Sequence, residues 1–304
     1  MTGTERPYRV RMLHHPTIHV PSLAKAEDFF ARVFGRPSTN FAVVMPEPPA
    51  PGHSVGYSTF TSIGDVLIDS LAPKLYLTGG VQRYPDVATP RLKTTGWYVD
   101  GVKELYKELR AQGFRLVDSR GDLLDADEWP GGFSPFHTLE DDAGLRYRFF
   151  ETFPFPLDPR VAEGWTLPEA DDADPLGIEH AAYHTVLTHR PERVADLLVD
   201  VLGGEVVRTG RDDLRRVSGP YVPLADAVFH LAAPDPGTAP APGPLDAYHA
   251  ITWKVADLDR AARHLDAEGV RIAHRSDTAL VTDAATSLGV PWGFTTESME
   301  SDPR

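Results

Sequence analysis

Two stretches of the chain match each other without a gap. Residues 96–116 read GWYVDGVKELYKELRAQGFRL, and residues 252–272 read TWKVADLDRAARHLDAEGVRI. Each begins with a short strand-like segment that contains a tryptophan, continues into a helical pattern and reaches a glycine before another short strand. The match predicts an internal repeat, and such a repeat constrains the whole fold.

A second pair of segments has the same order of elements. Residues 15–20 (HPTIHV) alternate like a strand, and residues 23–34 carry apolar side chains at helical spacing. Residues 182–187 and 191–202 repeat this order. Short β-rich segments bounded by Gly, Pro and Asp follow each helix. Each of the four copies is therefore predicted to be a strand, a helix and two or three further strands.

The length and composition are typical of a globular protein with two domains. The chain has 304 residues, of which 41% are hydrophobic and 24% are charged. Five prolines and an acidic run separate the two pairs of copies. We therefore predict an N-terminal domain over 10–152, a linker over 153–176 and a C-terminal domain over 177–300.

Charge and cysteine content exclude several classes of function. A formal net charge of −14 opposes nucleic-acid binding, and no apolar run approaches the ~20 residues of a membrane span. Without cysteine, the protein cannot form disulfides, thiolate metal sites or a thiol nucleophile, so any metal must be bound by histidine and carboxylate. The expected location is cytoplasmic.

Four such copies, arranged as two pairs and beginning with His15, resemble the vicinal-oxygen-chelate superfamily of glyoxalases, bleomycin-resistance proteins and type I extradiol dioxygenases. The most specific segments are residues 15–35, the two tryptophan strands and the glycine-led final strands 144–151 and 289–297. The resemblance implies an α+β fold in which four βαβββ modules pair into two half-barrel domains. Pairing of neighbouring modules is favoured by short connections, and a non-consecutive order is the alternative.

In such relatives the first and last strands of each module offer ligands to a divalent metal. The resemblance therefore implies Fe²⁺ or Mn²⁺, held in the N-terminal half by His15 and Asp69. Glu151 is a third candidate, although its position along the strand needs a bulge to turn it inward. In the C-terminal half the candidates are His230, which aligns with Asp69, and His184, which is one residue out of register.

The second and fourth modules depart from this ligand pattern. Thr94 and Ala250 stand where a histidine is expected, and Arg148 and Gly293 stand where a glutamate is expected. An inward-facing Arg148 is suited to pair with Asp69 or with an anionic substrate.

Other residues are candidates for proton transfer and for the pocket wall. His19 shares the face of His15 but lies about 13 Å further along the strand, so it is predicted to be a proton acceptor, not a ligand to the same metal. His137 is a candidate for the same role or for completing the metal site. Thr94, Arg148, Tyr147 and Phe150 are predicted to line the substrate pocket.

An enzyme is the leading functional hypothesis from the sequence, and a binding protein is the alternative. The first is a metal-dependent enzyme similar to extradiol dioxygenases or glyoxalase-type lyases, acting on an aromatic or vicinal-oxygen small molecule. The second is a metal-free protein of the drug-resistance type that binds a small molecule in pockets whose ligand positions are lost. The substitutions in the second and fourth modules favour the latter. A homodimer is compatible with either function.

Overall fold

The structure, a computed structural model, describes residues 6–45, 52, 54–129, 135–170, 173–236 and 247–299. Asp171 and Asp172 of the predicted linker and Glu300 at the predicted end of the second domain lie outside these ranges. The described residues form four βαβββ modules on two eight-stranded sheets. The predicted α+β fold of paired half-barrels is therefore confirmed.

The N-terminal sheet contains modules 1 and 2. Module 1 consists of β1 (Arg9–His19), α1 (Leu23–Val33), β2 (Thr39–Asn40), β3 (Ser58–Ile63) and β4 (Val66–Leu71). A separate hairpin follows, formed by β5 (Leu77–Thr78) and β6 (Val81–Gln82). Module 2 consists of β7 (Arg91–Asp100), α2 (Val102–Ala111), β8 (Leu116–Val117), β9 (Phe136–Thr138), the short helix α3 (Glu140–Ala143) and β10 (Arg146–Glu151).

The C-terminal sheet contains modules 3 and 4. Module 3 consists of β11 (Ile178–Leu187), α4 (Pro191–Asp196) with a π-helical extension (Leu197–Val201), β12 (Arg208–Asp212), β13 (Val217–Leu224) and β14 (Ala227–Pro234). Module 4 consists of β15 (Ala247–Val255), α5 (Leu258–Ala267), β16 (Ile272–Arg275), β17 (Ala279–Thr282) and β18 (Gly293–Thr295). Single 3-10 turns lie at Phe41–Val44, Pro73–Leu75 and Pro159–Val161.

The strand order is the same in both sheets. It runs β2-β3-β4-β1-β7-β10-β9-β8 in the first and β12-β13-β14-β11-β15-β18-β17-β16 in the second. The first strands of two neighbouring modules pair antiparallel at the centre, and each also pairs in parallel with the last strand of its own module. Neighbouring modules therefore share a sheet, and the non-consecutive alternative is wrong.

The longer helices bury one face in a common pattern. In α1, α2 and α5 the buried positions are i, i+3, i+4 and i+7, which form one stripe of an α-helix. They are Ala26, Phe29, Phe30 and Val33; Val102, Leu105, Tyr106 and Leu109; and Leu258, Ala261, Ala262 and Leu265. None of the described helices has the length and apolar composition needed to cross a membrane.

Each sheet has two faces with different roles. The outer faces of both sheets and the helices pack into one continuous core, in which Trp97 and Trp253 are fully buried. Trp97 of the first sheet contacts Phe229 of the second, with ring centroids 5.4 Å apart. The inner face of each sheet lies on the opposite side, and the space that it encloses in the half-barrel is called the cavity of that half.

Two hydrogen bonds join the central strands across the halves. β1 is irregular between Leu13 and His15, and the Leu13 N–H donates to the carboxylate of Asp226, from the β13–β14 turn, at 2.7 Å. β11 has the equivalent irregularity after Ala181, whose N–H donates to Asp65, from the β3–β4 turn, at 2.7 Å. Each half therefore supplies the acceptor for a strand irregularity in the other, where the ladder leaves an N–H unpaired.

The Asp226 contact predicts a specific pH dependence of stability. Burial raises the pKa of Asp226 from 3.8 to about 6, although Arg160 opposes the shift. As pH rises from about 4 to about 6, this carboxyl ionises in the unfolded chain before it ionises in the folded one, which lowers the free energy of unfolding. Asp226→Asn keeps a carbonyl acceptor for Leu13 and does not ionise. Its stability relative to the wild type should therefore increase across this pH interval.

Denaturant unfolding at several pH values between 4 and 7 measures this difference. Asp226→Ala is the control, because it removes both the titrating group and the acceptor, and it should be about 1–2 kcal/mol less stable than Asp226→Asn at every pH in the series. Parallel stability profiles for the wild type and Asp226→Asn would contradict the proposed titration.

Candidate functional site

A row of four residues crosses the inner face of the N-terminal sheet. His15 on β1 and Arg148 on β10 are both paired with Gly96 of β7, and Arg148 is paired with His137 of β9. Residues directly opposite each other on neighbouring strands point to the same side of a sheet. The Arg148 side chain reaches across Gly96, which has no side chain, and donates to Nδ1 of His15 at 2.9 Å.

The same guanidinium starts a short hydrogen-bond chain. Arg148 also donates to the hydroxyl of Thr17, and Thr17 donates to Oδ2 of Asp69 at 3.1 Å. Nδ1 of His15 lies 3.8 Å from the same carboxylate oxygen. The structure therefore brings the two sequence-predicted ligands His15 and Asp69 together, with a cation bound to one of them.

The bond from Arg148 fixes the protonation of His15. A guanidinium can only donate, so Nδ1 of His15 must accept. Burial and neighbouring positive charge hold the pKa of His15 well below its usual value, so the ring is neutral at pH 7. A neutral ring with Nδ1 accepting carries its proton on Nε2. In this state neither ring nitrogen offers a free lone pair to a metal.

The other titratable groups of the inner face are also shifted. Burial lowers the pKa of His19 to about 3, and it holds the pKa of His137 well below the usual value. Burial raises the pKa of Asp69, while the charge of Arg148 opposes that shift. His137 is 1% exposed, and neither of its ring nitrogens has a hydrogen-bond partner. The histidines of this face are therefore neutral polar groups at pH 7.

One end of the cavity is filled by aromatic residues. The strand irregularity turns His14 inward, where its ring lies 4.1 Å from that of Tyr98 and 5.4 Å from that of Phe155. Below it, Asp158 forms an ion pair with Arg160 at 2.8 Å, and Arg160 donates to the carbonyl of His14 at 2.5 Å. The segment after β10 therefore closes this end of the cavity.

The opposite end has a wall of partly exposed tyrosines. The ring of His19 lies 4.8 Å from that of Tyr84, and Tyr84 lies 5.9 Å from Tyr76. Tyr76 stacks on Tyr57 with ring centroids 4.1 Å apart and an interplanar angle of 18°. Burial raises the pKa of Tyr57 and of Tyr76, so both hydroxyls stay protonated at pH 7.

The remaining N-terminal candidates divide between the two faces. Thr94 and Phe150 share the inner face with Arg148. Tyr147 is wrong as a pocket residue, because it alternates with Arg148 and is buried in the outer core. Glu151 also lies on the outer side and is exposed. The bulge that Glu151 needs is absent, since β10 keeps a continuous register with β7.

The structure does not bring His184 and His230 together. On the paired strands β11 and β14, His230 lies opposite Thr185, whereas His184 lies opposite Phe229. His184 stacks on Phe229 in the outer core, while His230 faces the inner side. Two histidines on opposite faces of a sheet cannot share an ion, so the predicted pairing is wrong.

The strand register identifies the C-terminal counterparts of His15, Asp69 and Arg148, which we call the N-terminal triad. β1 and β11 have equivalent irregularities, and the last strands of the modules pair with them in equivalent positions. The counterparts of His15, Asp69 and Arg148 are Tyr183, His230 and Gly293. Tyr183, and not His184, therefore takes the place of the first-strand histidine of module 1.

A second arginine fills the space above Gly293. A Cβ atom added to Gly293 would lie 2.6 Å from the Arg215 guanidinium, which comes from the β12–β13 turn. Arg215 forms an ion pair with Asp212 at 2.6 Å and donates to the carbonyl of Pro291 at 3.0 Å. Its charge is therefore balanced inside the protein.

Aromatic packing fills the rest of this cavity. The rings of Tyr221 and His230 stack 4.1 Å apart, and Tyr183 lies 5.5 Å from Tyr221. Met299 and Val228 pack against the same group. The C-terminal inner face thus resembles a small core more than an open site.

Several residues of the site were not predicted from the sequence. Alternation along β1 places Thr17 on the face of His15, so its position is predictable from the sequence. Its hydrogen bonds to both Arg148 and Asp69 are not. Gly96 is one residue before the repeated tryptophan, yet nothing local indicates that an arginine crosses it. Arg215 lies in a turn outside the repeated strand–helix pattern, and no sequence signal marked it.

No protein-family model matches the sequence, and no curated protein matches it either. Several solved structures do resemble the fold over nearly the whole chain. One is the 2,3-dioxygenase LapB from Pseudomonas sp. KL28, with a TM-score of 0.58, 12% identity and coverage of 96% of this chain and 93% of LapB.

Two further structures show the same likeness. The Mn(II)-bound glyoxalase from Novosphingobium aromaticivorans has a TM-score of 0.57 and 15% identity, with coverage of 97% of this chain and 85% of the glyoxalase. A mutant of 4-hydroxymandelate synthase from Streptomyces coelicolor has a TM-score of 0.60 and 12% identity, with coverage of 97% and 95%. Likeness at this identity concerns architecture and not chemistry. The chain thus has the vicinal-oxygen-chelate fold, in the form with four modules and two half-barrels.

Proposed function

We propose that this protein binds a small organic molecule in the inner cavity of its N-terminal sheet without a divalent metal. The observation that carries this proposal is the hydrogen bond from Arg148 to Nδ1 of His15. A cation supplied by the protein occupies the position of a metal-binding carboxylate, and it uses the lone pair that a metal would need.

The donor set does not fit the Fe²⁺ or Mn²⁺ that the resemblance implies. Of the predicted ligands that the structure describes, two converge, His15 and Asp69, whereas the facial arrangement requires three donors. Within the ranges that the structure describes, no three His, Asp or Glu side chains are grouped to hold a metal. A divalent ion beside His15 would also face the positive charge of Arg148.

The C-terminal cavity supports a metal even less. Of the positions equivalent to the triad, only His230 is an ordinary metal ligand, and it stacks face to face with Tyr221. Arg215 stands over the third position, at Gly293. Because its charge is balanced by Asp212 and its space is filled, we assign ligand binding to the N-terminal cavity.

The N-terminal cavity has the composition of a small-molecule site. It combines aromatic walls with a few buried polar groups, which give orientation and specificity in such sites. His137 and Thr94 have buried polar atoms without a hydrogen-bond partner, so a ligand could complete them. This composition supports the metal-free alternative over a dioxygenase or lyase that depends on metal.

Metal analysis tests the first part of the proposal. Protein purified without a histidine tag and exposed to Fe²⁺ or Mn²⁺ should retain far less than one ion per chain after desalting. Arg148→Glu should gain the ability to bind either ion in about equimolar amount, because it frees His15 and adds a third donor. Elemental analysis and metal-dependent thermal shift are the measurements.

Two controls make the result specific. Arg148→Gln removes the guanidinium without adding a carboxylate and should not bind metal stoichiometrically. Combining Arg148→Glu with His15→Ala should abolish the gain. One tightly bound ion per chain in the wild-type protein would refute the metal-free proposal.

A matched pair of cavity variants tests the location. Thr94 and Ala250 are equivalent buried positions on the inner faces of β7 and β15. Thr94→Leu should weaken binding of the neutral probe 4-fluorocatechol, measured by fluorine NMR line broadening, by about tenfold or more through lost space and lost polar contacts. Ala250→Leu should leave it unchanged. Loss of binding only in Ala250→Leu would place the site in the other half.

A further inference from the structure

We infer that the N-terminal cavity is built for the carboxylate of a planar aromatic acid, bound by Arg148 and Arg146 beside the tyrosine wall formed by Tyr57, Tyr76 and Tyr84. The inference rests on the proposed function, since it names the class of molecule that the same cavity binds. It follows from a charge imbalance on the inner face of β10.

Arg148 is buried without a matching negative charge. Its side chain is 8% exposed, and no carboxylate among the described residues lies within 4.0 Å of its guanidinium. Its hydrogen bonds go to His15 and Thr17, both of which are neutral, and its Nε has no partner. A buried charge is costly unless it is paired, so this group can accept an anion.

Arg146 adds a second cation to the same face. It lies two residues earlier on β10, so its side chain points to the same side about 7 Å away along the strand. Its Nε is buried without a partner, and the described part of the chain gives its side chain no hydrogen bond or ion pair. In the C-terminal cavity, by contrast, Arg215 is already paired with Asp212.

The surroundings of His19 report the sign of the local field. After burial, the groups that lower the pKa of His19 are Arg148, Lys93, Arg91 and Arg146, all of them cations. Lys93 is paired with Glu140 at 2.5 Å on the rim. The cavity end next to the tyrosine wall is therefore electropositive.

The two guanidinium groups favour an anionic ligand. Arg148 and Arg146 contribute two positive charges to the inner face, and the carboxyl linked to them through Thr17, Asp69, has its pKa raised by burial. A negatively charged group of the ligand supplies the charge that these guanidinium groups lack. The planar fork of a guanidinium also matches the two oxygens of a carboxylate.

The tyrosine wall selects a flat apolar body. The Tyr57 and Tyr76 rings are stacked and partly exposed, and Tyr84 connects them to His19 of the inner face. Aromatic rings pair favourably in offset or edge-on arrangements. His137, directly opposite Arg148 on β9, can serve a further polar group of the ligand.

Fluorine NMR titration of the full-length protein with 4-fluorobenzoate and 4-fluorobenzamide tests this inference, because the two probes share a shape and differ in charge. The benzoate should bind about tenfold more tightly, as expected for a charge-assisted hydrogen bond. Arg146→Gln should remove about tenfold of the benzoate affinity and leave the benzamide unaffected.

Arg208→Gln is the matched control, since it removes one positive charge beside Tyr221 in the other cavity. It should not change benzoate binding. Equal affinity for the two fluorinated probes, or an Arg146→Gln variant with wild-type affinity, would overturn the inference. If the inference failed but 4-fluorocatechol still bound to the wild type and Thr94→Leu weakened that binding, the proposed location of the site would be retained and the proposed preference for an anion would be rejected. Failure of all of these probes at millimolar concentration would overturn both.

Discussion

A guanidinium group buried on the inner face of the N-terminal sheet determines what that cavity can hold. Arginine stays charged at any ordinary pH, and a charge removed from water requires compensation. His15 and Thr17 satisfy hydrogen bonds of Arg148 without neutralising it. The neutral histidines, the protonated tyrosines and the chain from Thr17 to Asp69 are all arranged around this one positive group.

In each half an arginine side chain lies at the position of the third expected metal ligand, but the two arginines come from different elements. In the N-terminal half the arginine comes from the last strand of module 2, and in the C-terminal half it comes from the turn between β12 and β13. Asp212 neutralises the second arginine, and aromatic residues fill the space around it. The buried arginine of the C-terminal cavity is therefore paired with a carboxylate, whereas Arg148 of the N-terminal cavity is not.

The fold was predictable because its signals are local and repeated. Helical spacing, glycine stops and the ungapped match between residues 96–116 and 252–272 identify four modules without any long-range information. Alternation along β1 and β4 also placed His15 and Asp69 on one face. Alternation along β10, without an assumed bulge, predicts that Glu151 and Tyr147 lie on the face opposite to Arg148.

The rest of the site depends on contacts that sequence patterns do not encode. Arg148 reaches His15 by crossing a glycine on the strand between them, and Arg215 reaches Gly293 from a turn. The prediction for His184 is wrong because one residue of register decides which face a side chain occupies. Side-chain reach and strand register are tertiary properties, so they appear only in the folded chain.

The reciprocal contacts of Asp65 and Asp226 have a consequence for how the protein can diverge. They tie the central strands together through backbone N–H groups, and Arg160, at the closed end of the N-terminal cavity, contacts both aspartates. A substitution at an inner-face strand position that leaves Arg160 in place keeps these contacts. One cavity can change its chemistry by single substitutions while the other cavity and the shared core continue to hold the architecture.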